Sequence, residues 1–129
     1  RRAAGVVGRS AEGPRVKNWA AVVAHALTLP GAEVGTAYGR PAIKVRGKTI
    51  AGTTSPDPDS FVLHTTADEK AVLLETDPDT FWQTPHYEGW PVVLVRYGSL
   101  ANERIAVLIE RAWWDRAAKA QRAVFGDRP

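Results

Sequence analysis

Four consecutive residues, Val92-Val-Leu-Val95, offer apolar side chains to both sides of an extended chain. Side chains alternate across a strand, so such a run needs cover on both faces and belongs in the interior of a sheet. Pro85, Gly89 and Pro91 fix the loop that delivers the chain into it, TPHYEGW. The rest of the sequence must therefore supply partner strands and helices to cover them.

Partner strands are legible between residues 42 and 65. Ala42-Ile-Lys-Val-Arg46 alternates, which directs Ile43 and Val45 to one face and Lys44 and Arg46 to the other. Gly47-Lys48 reads as a hairpin turn into Thr49–Thr53, and Ser55-Pro-Asp-Pro-Asp59 as a turn into Ser60–Thr65, giving a three-stranded antiparallel meander. Glu33 to Tyr38 could add a further strand, and its pattern leaves that open.

Helices are announced by their caps. Asn18 suits an N-cap before Trp19, Val22, Val23, Ala26 and Leu27 at helical spacing, and Leu29-Pro30-Gly31 ends that helix, with His25 off the stripe at the surface. Thr66-Ala-Asp-Glu69 is a capping box predicting a helix through Leu74, and Asp77-Pro78 predicts a short helical turn carrying Phe81 and Trp82. Ser99 or Asn102 is predicted to cap a last helix with Ile105, Leu108, Ile109, Ala112 and Trp113 as its buried stripe. The implied class is α+β, an antiparallel sheet with helices packed on one face, in a single domain over residues 18–129. Residues 1–17, without periodicity and rich in glycine and small residues, read as a mobile N-terminal arm.

With 129 residues, one hydrophobic core is the default. No apolar run reaches the roughly 18 to 20 residues that span a bilayer, and the cytoplasm is the expected location. The absence of cysteine excludes disulfides, thiolate metal sites and a cysteine nucleophile. His25, His64 and His86 are too dispersed for a local metal motif, so no metal and no cofactor are expected, and the chain is expected to be a monomer.

Charge is unevenly distributed. Residues 1–48 carry nine Lys/Arg against two acids, residues 49–90 one lysine against eight acids, and residues 91–129 seven Lys/Arg against four acids. The evenly spaced Gly31, Gly35 and Gly39 follow a helix and lack the Gly-Lys-Ser/Thr ending of a phosphate loop, so they read as turn residues. No G-x-S-x-G elbow accompanies His64 or His86, and no catalytic residue is assigned. The meander is more informative. With Ile43, Val45, Ile50, Phe61 and Leu63 toward the helices, Lys44, Arg46, Thr49, Ala51, Thr53, Val62 and His64 share the opposite face, with Arg40 and Lys48 at its ends. Such a face suits backbone phosphates, which accept hydrogen bonds from Arg, Lys, Ser and Thr.

Three segments taken together, Leu27-Thr-Leu-Pro-Gly31, Tyr38-Gly-Arg-Pro-Ala-Ile-Lys-Val-Arg-Gly-Lys48 and Thr84-Pro-His-Tyr-Glu-Gly-Trp-Pro-Val-Val-Leu-Val-Arg96, resemble the MmcQ/YjbR family. The resemblance runs from about Trp19 to the last helix. It implies a "double wing" α+β fold related in layout to frataxin-like proteins, and a DNA-binding role that itself rests on likeness of fold. The first helix lacks the acidic row that iron binding of the frataxin kind requires. The expectation is a non-enzymatic DNA-binding protein contacting phosphates through Arg40, Lys44, Arg46, Lys48 and Arg96. The alternative is a protein-interaction or small-ligand module with a pocket of Tyr38, His86, Tyr87 and Trp90. Apart from either role, the His86 ring is expected to hydrogen-bond and hold the TPHYEGW loop instead of acting as a general base.

Overall fold

The computed structural model describes residues 16–129, so the arm expected over 1–17 lies outside the described residues except for Val16 and Lys17. Val16 already belongs to the domain. It is buried, its N–H donates to Asn102 Oδ1 at 3.0 Å, and its carbonyl accepts from Gly98.

In chain order the elements are α1 (Trp19–Ala26), β1 (Ala32–Ala37), β2 (Arg40–Val45), β3 (Lys48–Gly52), β4 (Ser60–His64), α2 (Ala67–Thr76), β5 (Phe81–Trp82), a 3-10 turn (Pro85–Tyr87), β6 (Val92–Arg96), α3 (Asn102–Arg116) and α4 (Lys119–Arg122). All strand pairs are antiparallel, and the sheet runs β1-β2-β3-β4-β6-β5. The fold is α+β, and the segment left open at Glu33–Tyr38 supplies the edge strand β1.

Strand β6 lies between β4 and the short β5, with both faces of Val92–Val95 buried. Val93 and Val95 enter the main core with Ile43, Ile50, Phe61 and Leu63, under Val22 and Ala26 of α1, Leu73 of α2, and Ile105, Ile109 and Trp113 of α3. On the other face Val62, Val92 and Leu94 form a second, smaller cluster beneath Trp82 and Tyr87. The face expected to meet backbone phosphates is thus roofed over its β4–β6 half.

Register explains two further departures. The β2–β3 pairing shifts between Ile43 and Lys44, so that Ala51 stands opposite Ile43 and Lys44 opposite Thr49, with Ile50 as the extra residue. A bulge of this kind lets Ile50 and Ala51 both enter the core, so Ala51 is not on the opposite face. Arg46 and Gly47 both have positive φ, 53° and 79°, the signature of a two-residue type I′ turn. The turn is therefore Arg46-Gly47, and Arg46 stands at the hairpin tip instead of on the sheet face.

Local chemistry settled other elements differently from their pattern. Asp77-Pro78 does not restart a helix: Thr80 and Phe81 donate back to the Asp77 carbonyl, and Phe81–Trp82 then pairs with β6 as a strand. Neither Ser99 nor Asn102 is the N-cap of α3, which begins after Ala101; Asn102 spends its side-chain carbonyl on Val16. Leu27, read into the α1 stripe, falls past the last turn and is half-exposed. The capping box at Thr66 forms as its sequence requires, with Thr66 Oγ1 accepting from Glu69 N and Glu69 Oε1 from Thr66 N.

Leu29-Pro30-Gly31 proves to be a joint. The Pro30 carbonyl accepts from Trp113 Nε1 at 2.7 Å. Gly31 sits at φ 77°, and a Cβ added there would meet the tip of the Gln121 side chain of α4. The left-handed turn is what calls for glycine, and the Gln121 side chain of α4 lies over it.

Candidate functional site at the basic end of the sheet

The pairings define two ends of the sheet. At one, Val45 pairs with Ala32 and Lys48, and His64 with Val92; at the other, Arg40 pairs with Ala37, and Ser60 with Arg96. The five cations expected to share one surface divide between them. Lys44, Arg46 and Lys48 lie toward the first end, and Arg40 and Arg96 at the second.

Arg96 is committed locally. Its guanidinium lies 4.6 Å over the Trp82 ring and pairs with Asp57 at 3.7 Å, while Ser60 Oγ accepts from Trp82 Nε1 at 3.0 Å. That arrangement clamps the roof of the second cluster. By contrast, Lys44, Arg46 and Lys48 form no ion pair among the described residues.

The first end is concave where the β2–β3 turn meets the end of α3. A depression of about 210 Å³ is lined by Arg46, Lys48, Asp115, Arg116, Ala117 and Arg122. Arg116 and Arg122 are not among the residues of the predicted α3 stripe, and nothing in the sequence pattern marks them for a role. Arg116 Nε is buried without a hydrogen-bond partner among the described residues. Arg122 packs over the Trp114 ring at 5.2 Å and donates Nε to the Trp114 carbonyl at 2.8 Å. The single acid, Asp115, is occupied: both its oxygens accept from Arg128, at 3.0 and 2.9 Å. Arg128 also reaches Glu69, where Arg111 binds as well. Burial alone would raise the Glu69 pKa, but the Arg128 and Thr66 hydrogen bonds and the two guanidinium charges bring it below the ordinary carboxylate value.

His64 stands at the same end of β4, its Nδ1 buried without a partner. Burial, and secondarily the charge of Arg116, holds its pKa below the ordinary 6.5. The unfolded chain therefore binds the proton more readily than the folded one, so His64 lowers stability as pH falls through about 6.5. Melting temperatures between pH 7.5 and 5 should fall in the native protein and fall less steeply in His64→Gln; parallel profiles would refute this assignment.

The residues proposed for a pocket do not converge. Tyr38 is the tip of the β1–β2 turn, 95% exposed and at the far end of the sheet. Tyr87 is spent on the second cluster, and Trp90 is exposed. His86 is exposed, lies edge-on to Tyr87 at 4.9 Å, and its ring makes no hydrogen bond among the described residues, so it does not hold the loop. Lys70 does. Reaching from α2, it is only 8% exposed and its Nζ donates to the carbonyls of Tyr87 at 2.8 Å and Trp90 at 2.7 Å. Burial pushes its pKa below the ordinary lysine value, with Glu88 acting in the opposite sense. The available signal was its isolation as the sole basic residue between 49 and 90.

A larger groove, about 500 Å³, runs between α2 and α3 with Val72, Leu73, Val107 and Leu108 among its walls. Among the described residues there is no group of three or more metal-ligating side chains, and no helix long and apolar enough to cross a membrane.

The family model described as YjbR matches residues 27–114. The chain belongs to the YjbR family. That match takes in the Leu-Pro-Gly joint, the whole sheet and α3 to Trp114. This YjbR chain is also 28% identical over 86 residues to uncharacterized proteins of Mycobacterium bovis and Mycobacterium tuberculosis, covering 64% of this chain and 67% of theirs. No solved structure matches it significantly.

Proposed function

We propose that the protein binds DNA by its phosphate backbone, through the β2–β3 hairpin. The observation that carries the reading is that Lys44, Arg46 and Lys48 leave one hairpin without any ion-pair partner among the described residues. Cations kept free at a rigid two-residue turn suit a polyanion better than they suit the domain's own stability. Arg96, engaged with Trp82 and Asp57, is left out of this contact, and Arg40 is reached only by DNA extending to the other end of β2. Exposed Trp90 precedes β6 at the basic end and offers a face on which an unpaired base stacks.

Binding of a short duplex, measured by anisotropy from 50 to 200 mM salt, should weaken with a log–log slope of roughly −2 to −3, about −0.9 for each of three phosphates. The Lys44→Ala/Arg46→Ala/Lys48→Ala variant should lose both affinity and slope. An absence of binding at low salt, or a variant that binds like the native protein, overturns the reading.

A further inference from the structure

The geometry points to a second element of recognition beside the hairpin: the depression between the β2–β3 turn and the α3–α4 junction is a seat for a phosphate monoester, at the end of a nucleic-acid strand or on a free nucleotide. This deepens the DNA-binding reading and rests on it only for the nucleic-acid source.

The shape argues for one compact anion. At about 210 Å³ the depression is of a size for a phosphate group and its first ester atoms and is too short for a run of backbone. Its cations converge from three elements, Arg46 and Lys48 from the hairpin, Arg116 from α3 and Arg122 from α4, instead of following a line.

Charge argues for a dianion. Four cations face the space, and Asp115 is neutralised by Arg128. A phosphodiester brings one charge, whereas a monoester carries about −1.5 to −2 at pH 7 with three acceptor oxygens. The carbonyl end of α3 opposes an anion, and Arg122 offsets this by covering the Trp114 carbonyl. Arg116 lines the depression with its Nε buried and unpaired, a donor left without an acceptor beside the space an anion would fill.

The test compares one oligonucleotide sequence carrying a terminal phosphate with the same sequence ending in hydroxyl, alongside a nucleoside 5′-monophosphate, by calorimetry at fixed salt. The phosphorylated form should bind about tenfold tighter, the worth of one added charge-assisted hydrogen bond. That preference should vanish in Arg116→Gln/Arg122→Gln, and be reduced in Arg116→Gln alone, which leaves the Arg122–Trp114 packing intact. Competition by the mononucleotide at comparable affinity identifies a free nucleotide as source; a preference seen only in the oligonucleotide identifies a strand end. Equal, salt-dependent binding of the two oligonucleotides overturns the monoester seat while leaving DNA binding in place. Binding of the mononucleotide alone upholds the seat and removes the DNA reading, and binding of none of the three removes both.

Discussion

Replacing Trp113 with alanine is expected to destabilise the protein by about 3 to 5 kcal/mol, the range for deleting a large buried aromatic side chain. Trp113 has no exposed surface, packs against Trp114 and Phe125 with ring centroids 6.3 and 5.2 Å away, and joins α3 to the Leu29-Pro30-Gly31 joint through its indole N–H. Alanine therefore opens a cavity and also leaves the Pro30 carbonyl without its donor. Trp113→Phe should fall between, since it restores most of the volume and none of the hydrogen bond. Urea unfolding of the three proteins measures this; a loss below about 1 kcal/mol for alanine shows that the joint closes without the indole.

Lys70→Met is expected to cost about 2 kcal/mol, although it substitutes a residue that composition would place at the surface. Methionine keeps the stem packed and removes the ammonium, so the loss isolates the two hydrogen bonds to Tyr87 and Trp90. Bonds from a charged donor contribute about 1.5 to 3 kcal/mol each, and water reaching the partly exposed loop recovers a share. Hydrogen exchange should quicken at Trp90 and Val92, whose N–H groups donate within this loop. Unchanged exchange there would mean that Pro85, Gly89 and Pro91 hold the loop by themselves.

The contrast between Lys70 and His86 shows where sequence reasoning reached and where it stopped. Periodicity and caps are local, so Asn18, the Thr66–Glu69 box, the α3 stripe and the doubly buried β6 were all legible. Side-chain destinations depend on which segments meet. The histidine drew attention by type but stays exposed, while a lysine 17 residues before Tyr87 does the holding. Arg46 illustrates the same limit at the backbone level. Alternation assigned it to a face, yet the Arg46-Gly47 turn and the bulge at Ile50 re-aim the hairpin, and both are fixed by pairing register. The basic end was invisible for that reason: Arg116 and Arg122 are some 70 residues beyond Arg46 and meet it only in three dimensions.

The seam between β4 and β6 is the most non-local pairing of the sheet. The hairpins of β1, β2 and β3 close over two-residue turns, whereas the β4–β6 pairs join residues 28 to 36 apart with α2 and β5 between them. Chain entropy opposes that closure before any contact rewards it, and the opposition grows with the logarithm of the intervening length. Until it happens β4 has a bare edge, and both clusters lack the strand they share. The run Val92–Val95 is thus a wall common to two rooms, seated by the strand pairing whose closure costs this sheet the most chain entropy.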